Sequence, residues 1–258
     1  VDMKMLMLAL VMIIASGAAR ADTLMLEPVA DATLFQISAG DPETADSQGP
    51  HLFVGRIAQG LRRRALLRFD LGALPAGAII DSARLELSVS RTISGSVNVN
   101  LHRMTSAWTE GSADAGTPGG QGTTPGTNDP TWSSSAAPAT PWTTLGGDFA
   151  ATVSGALTLD AEGRYLIPAS AGMLDDLGLW INDDGTNFGW ALVSDEAQSP
   201  PTAKRLESAE AGNASTRPLL VIDYRLPPRV PVPALGAVAT LLLVLGIGAA
   251  TRWTAGRR

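Results

Sequence analysis

The chain has 258 residues, a formal net charge of −6, no cysteine and two histidines. Disulfides, zinc–thiolate sites and cysteine nucleophiles are excluded, and histidine-based catalysis has little material. The acidic balance gives nucleic acid no electrostatic reason to bind.

Residues 1–21 read as a secretory signal peptide. Lys4 supplies the charged front, Leu6 to Ile14 the apolar stretch, and Ala19-Arg20-Ala21 a small-x-small site, with cleavage expected between Ala21 and Asp22. Residues 22–225 form the body. There, short alternating segments are separated by Gly, Pro, Asp and Ser, the signal of an all-β domain. From Arg64 to Leu71, one face takes Ala65, Leu67 and Phe69, and the other takes Arg64, Leu66 and Arg68. In the next segment Ala83, Leu85, Leu87 and Val89 share the apolar face, with Arg84 and Glu86 opposite. Val97, Val99 and Leu101 alternate with Asn98, Asn100 and His102. Half-buried strands of this kind predict a two-sheet antiparallel β-sandwich of jelly-roll type.

The stretch 111–148 is rich in Gly, Thr, Ser and Pro and carries Trp132 and Trp142. It reads as a long insertion over one end of the sandwich, pinned by its tryptophans. Met173, Leu177, Trp180 and Ile181 recur at helical spacing, predicting one short amphipathic helix with Asp175 and Asp176 on its solvent side. Asp183-Asp184-Gly185 reads as a turn. Trp180 and Trp190 read as core, and Trp108 as the packing of its own turn. Leu219 to Tyr224 closes the domain as a more continuously apolar strand.

Residues 226–234 are a proline-containing linker with the motif Val230-Pro231-Val232-Pro233-Ala234. The uncharged run 235–251 is about 17 residues long, at the short end for a spanning helix. Arg252, Arg257 and Arg258 make residues 252–258 a basic end, expected to stay cytoplasmic while the body faces outside.

Motif, apolar run and basic end together resemble the C-terminal sorting signals of Gram-negative bacteria, the PEP-CTERM class and its VPLPA-like variants. The motif residues Val230, Pro231, Pro233 and Ala234 carry that likeness, while Val232 stands where a glutamate is typical. The resemblance implies an exosortase-type processing enzyme as a partner, a membrane anchor before processing, and a final place at the cell surface or in its matrix.

The body resembles the DNRLRE domain, a β-sandwich module classed with carbohydrate-binding family 96. The matching runs include Leu52-Phe53-Val54-Gly55, Arg64 to Leu71, and Trp108-Thr109-Glu110-Gly111. Further on come Asn187-Phe188-Gly189-Trp190 and Thr202-Ala203-Lys204-Arg205. Relatives often carry a second arginine where this chain has Ala209. The resemblance implies binding rather than catalysis, with an acidic polysaccharide as ligand. The residues themselves suggest neither cofactor nor metal, since Asp175-Asp176 and Asp183-Asp184-Gly185 show no alternating oxygen-ligand loop.

The cationic residues read as outward, Arg64, Arg68, Arg84, Lys204 and Arg205, are the candidate polysaccharide contacts, because guanidinium groups pair bidentately with carboxylates or sulfates. The competing reading is an exposed ladder in which these cations pair with Glu86, Glu207 and nearby aspartates. The expected function is an exported, surface-tethered, non-enzymatic sandwich that binds or organises extracellular polysaccharide. The alternatives are a purely structural envelope protein and, less favoured, a glycan hydrolase.

Overall fold

A computed structural model describes residues 21–227. The signal peptide before Ala21, the motif Val230–Ala234, the apolar run 235–251 and the basic end fall outside the described residues. Among the described residues no helix is long and apolar enough to cross a membrane.

In chain order the strands are β1 (Ala21–Leu26), β2 (Ala30–Phe35), β3 (Ala45–Asp46), β4 (His51–Arg56), β5 (Arg62–Arg68), β6 (Ile79–Thr92) and β7 (Val97–Met104). There follow β8 (Ser134–Ala136), β9 (Thr140–Pro141), β10 (Phe149–Leu159) and β11 (Gly163–Ile167). The helix α1 (Ala171–Asn182) precedes β12 (Trp190–Ser194), β13 (Lys204–Glu207) and β14 (Leu219–Arg225). Twelve of these strands join in one curled antiparallel sheet, and β8 and β9 form a small hairpin of their own.

One half of the sheet is built on the long strand β6, flanked by β11 on one side and by β14 and β13 on the other, with β1 outside β14. The other half runs β10, β7, β12, β5, β2, β3. Strand β4 joins the halves. Its residues His51 to Val54 pair with β13, and Gly55 and Arg56 pair with β5. Leu85 and Leu87 of β6 and Leu67, Leu101 and Trp190 of the other half meet in one core, closed by Met173, Leu177 and Trp180 of α1. Side chains alternate across a strand, so a period-two pattern selects these residues for the inside. The expected inward set of Leu67, Phe69, Leu85, Leu87, Val99 and Trp190 is all buried. Burying each such side chain contributes roughly 1.5–3 kcal/mol.

The other face of the β2–β5–β12 half is not solvated. Ala30, Ala32, Leu34, Leu66, Ala191 and Val193 pack with Trp108, Trp132 and Trp142 in a second cluster. The stretch 111–148 forms this roof. Its tryptophans, Trp132 and Trp142, are apolar anchors, joined by Trp108 from just before the stretch. Trp142 Nε1 donates to Thr131 O (2.9 Å), and Trp108 Nε1 donates to Phe188 O (2.8 Å). Two buried layers therefore flank β5, and its outer face is interior.

Gly189 allows β12 to start against β5. Its φ is +74°, and an added Cβ would lie 2.1 Å from Leu67 O. No other residue fits that approach. Helix α1 begins at Ser170, whose hydroxyl accepts from Met173 N (3.0 Å). Asp175 is exposed at the helix surface, but Asp176 is not where the helical reading put it. It is buried, accepting from Ser154 Oγ and from Trp190 Nε1 (2.8 Å), and it pairs with Arg103 at 3.0 Å. The acid serves the Trp190 indole, whose ring lies tilted against Trp180 with centroids 4.5 Å apart.

Candidate functional site

Four of the five expected polysaccharide contacts are held by the protein itself. Arg64 is only 8% exposed, because the roof covers its face of β5. Its Nε and Nη2 donate to the two carboxylate oxygens of Glu196 (2.8 and 2.9 Å), and its Nη1 donates to Gly146 O (2.7 Å). The guanidinium also stacks on Trp132 at 4.8 Å and Phe149 at 5.1 Å. The outward, solvent-facing reading of Arg64 is thereby corrected. Arg68 lies over the Trp108 ring at 5.6 Å.

Arg84 pairs with Glu86 at 2.8 Å, and Arg164 reaches the other carboxylate oxygen at 2.6 Å. The Arg164 hydrogen bond, with help from Arg84, holds the Glu86 carboxyl below the usual range. This is the exposed ladder that outward charge on a sheet ordinarily makes. Lys204 is 0% exposed, which corrects its reading as a free surface cation. Its Nζ donates to Thr92 Oγ1, Ser94 O (2.9 Å), Ser94 Oγ (3.2 Å) and Gly95 O (2.6 Å). The ammonium thus closes the β6–β7 turn, and burial pushes its pKa down.

Arg205 remains, and it lines a groove that sequence reasoning did not identify. The groove holds about 260 Å3 beside the crossing strand β4. Phe53, Ile57, Ile93 and Pro118 give it apolar walls, and Arg63, Arg91 and Arg205 converge on it. No carboxylate is in the lining. Arg205 stands opposite Phe53 on β4 and opposite Arg91 on β6. Like charges directly across a pair of strands destabilise it. Arg205 has one fixed bond, from Nε to Ser90 Oγ (3.0 Å).

Arg63 is the sharpest feature. It is 3% exposed, yet among the described residues it has no acidic partner. Its Nη1 donates to Gln36 O (3.0 Å) and Arg62 O (2.9 Å), and its guanidinium lies over Phe35 at 4.8 Å. Its Nε has no partner. Burial lowers its pKa to about 10. A buried charge without a counter-charge is costly, and the chain carries a surplus of acids. An anion seated in the groove would relieve both the buried cation and the facing pair. In the sequence, Arg63 was hidden because it shares the inward parity of Ala65 and Leu67. Arg91 sits at the far end of β6, beyond the apolar pattern.

The wall carrying Pro118 is fastened from behind. Ala45 and Thr123 exchange both backbone hydrogen bonds at 2.9 Å, and Asp46 Oδ1 accepts from Ala115 N (3.1 Å) and Gly49 N (3.0 Å). Asp46 belongs to a group of inner carboxylates. Asp31 Oδ2 accepts from Ala209 N (2.7 Å), and Asp31 N donates to Glu110 Oε1 (2.7 Å). Burial, with mutual repulsion that includes Glu210, pushes Asp31 well above the carboxylate range and Asp46 to about 6. Burial raises Glu110 and Glu210 as well. Among the described residues, no three acidic or histidine side chains are arranged to hold a metal ion. No family model matches the chain, and no curated protein is significantly similar to it.

Proposed function

We propose that this chain is a non-catalytic module that binds acidic polysaccharide, with Arg63, Arg91 and Arg205 as the contacts. Three guanidinium groups that have no acidic partner among the described residues, gathered in one apolar-walled groove, carry the proposal. Uronate carboxylates or sulfates offer the planar, paired oxygens that guanidinium groups match. The DNRLRE-like runs point the same way, and the curled antiparallel sheet is consistent with a two-sheet jelly-roll of that kind.

Replacing Arg91 and Arg205 together by glutamine should weaken retention on a polyuronate affinity gel by about tenfold or more, since charge-assisted hydrogen bonds are worth ~1.5–3 kcal/mol each. The thermal midpoint should hold or rise slightly, because two facing like charges are removed. Raising the salt should weaken the unsubstituted protein toward the variant. Unchanged retention in the double variant would sink the groove as the site. The purely structural alternative draws support from Arg64, Arg84 and Lys204, which the fold itself consumes. It expects no retention on any glycan.

The placement of this module at the cell surface belongs to the same proposal. Export by residues 1–21 and sorting by Val230–Ala234 predict a mature protein that lacks the segment from Leu235 onward. Intact-mass measurement of the envelope-associated protein tests this. A mass that still includes Arg257 and Arg258 would mean a permanent anchor instead.

A further inference from the structure

A second concavity, on the other half of the sheet, has the opposite chemistry to the arginine groove. It is a cleft of about 650 Å3 over β7, β10 and the end of β12. That volume lies within the range of small-molecule sites, about 300–1,000 Å3. Its lining holds Asn98, Asn100, His102, Thr158 and Ser194 and neither lysine nor arginine.

Asparagine is depleted in strands, yet β7 places two at alternate outward positions in its middle. Neither caps a helix nor makes a turn. Asn98 Oδ1 accepts from Thr158 Oγ1 (2.8 Å), and its amide nitrogen donates to no other described residue. The Asn100 side chain makes no hydrogen bond to any described residue, and it stands between the small neighbours Ala156 and Val193 in register. Ser194 borders the cleft, but it stands opposite Val99 with the inward parity of Trp190 and Leu192, so its side chain belongs to the core side of the sheet. His102 donates from Nδ1 to Ala150 O (2.9 Å), which leaves Nε2 as an acceptor in the neutral ring.

The two acids at the rim are already engaged. Glu196 is held by Arg62 and Arg64 at 2.9 and 2.8 Å, and Asp195 Oδ1 accepts from Ala197 N (3.0 Å). Their charge still disfavours a polyanion here. What remains is a row of paired donors and acceptors, spaced about 7 Å apart along the strand.

We infer that this cleft binds the hydroxyl groups of a neutral glycan, independently of the arginine groove. Asparagine amides present an acceptor and a donor side by side, which suits vicinal hydroxyls, and His102, at the next outward position of β7, extends the row.

The test is affinity electrophoresis of the full-length protein through gels containing a galactomannan or a β-glucan. At least one of the two should retard it. The retardation should survive a rise in salt from about 50 to about 500 mM, because no ionic contact carries it. Asn98→Ala with Asn100→Ala should weaken it by about tenfold. Ala156→Trp, at an exposed position opposite Asn100 in register, should abolish it by filling the cleft over the amides. The arginine-groove double variant should be retarded as the unsubstituted protein is, so failure of one site leaves the other standing. No retardation in either gel, retardation that salt abolishes, or full retardation in the Asn98/Asn100 variant would each overturn the inference.

Discussion

Replacing Arg64 with alanine should cost the fold about 3–4 kcal/mol, since removing one partner of a buried ion pair is strongly destabilising. The side chain ties three things at once. It neutralises Glu196, satisfies Gly146 O, and fills the space between Trp132 and Phe149. Arg62 still reaches Glu196 at 2.9 Å, which tempers the loss. Arg64→Lys should fall between, because it keeps the charge but loses the fork and the flat stacking surface. Denaturant unfolding followed by tryptophan fluorescence reads both. A change within about 0.5 kcal/mol, the usual effect of a surface substitution, would mean that the roof does not cover this face.

Stability should rise, not fall, as the pH is lowered from about 7 toward about 4.5. Asp31, Asp46, Glu110 and Glu210 all have folded pKa values raised by burial. The folded chain then holds their protons more tightly than the unfolded chain. The stability they confer is complete below the unfolded values, near 4, and is lost as the pH climbs through the folded ones. For Asp46 alone, a rise from 3.8 to about 6 corresponds to about 3 kcal/mol. That is roughly 6–12 °C in thermal midpoint for a domain of this size. His51, lowered by burial, works in the opposite sense over part of that window. Glu86, lowered by its arginines, withdraws its own contribution at the acid end. A maximum between about pH 4 and pH 5.5 follows. Asp46→Asn should remove much of the slope between about pH 5 and pH 7. A midpoint that climbs steadily from about pH 4.5 to about pH 7.5 would contradict the inner-carboxylate account.

Alternation made the main core legible, because a period of two names the residues that share a face. It does not say what covers the opposite face, so Arg64 read as solvated although the roof lies on it. The signal was present in composition. Trp190 to Val193 is apolar on both parities, as strands buried on both sides are. Leu66 between two arginines belonged with them. Asp176 was misplaced for a different reason. It lies three residues after Met173 and four before Trp180, on the very stripe that named the helix, but an acid is read as wet by default. The arginine groove was hidden more deeply. Arg91 and Arg205 face each other across β6 and β13, and the crossing of β4 between the two halves brings Arg63 of β5 to them.

The pairing of β14 has a mechanical consequence. Its seven residues are bonded on one flank to β6 and on the other to β1, with Ala21 opposite Arg225. The last strand of the body is thus clasped between the first strand and the longest one. Antiparallel hydrogen bonds run perpendicular to the strands. A pull on the chain beyond Arg225 along β14 therefore loads both ladders in shear, so that they share the force, whereas a lone edge strand would peel away one bond at a time.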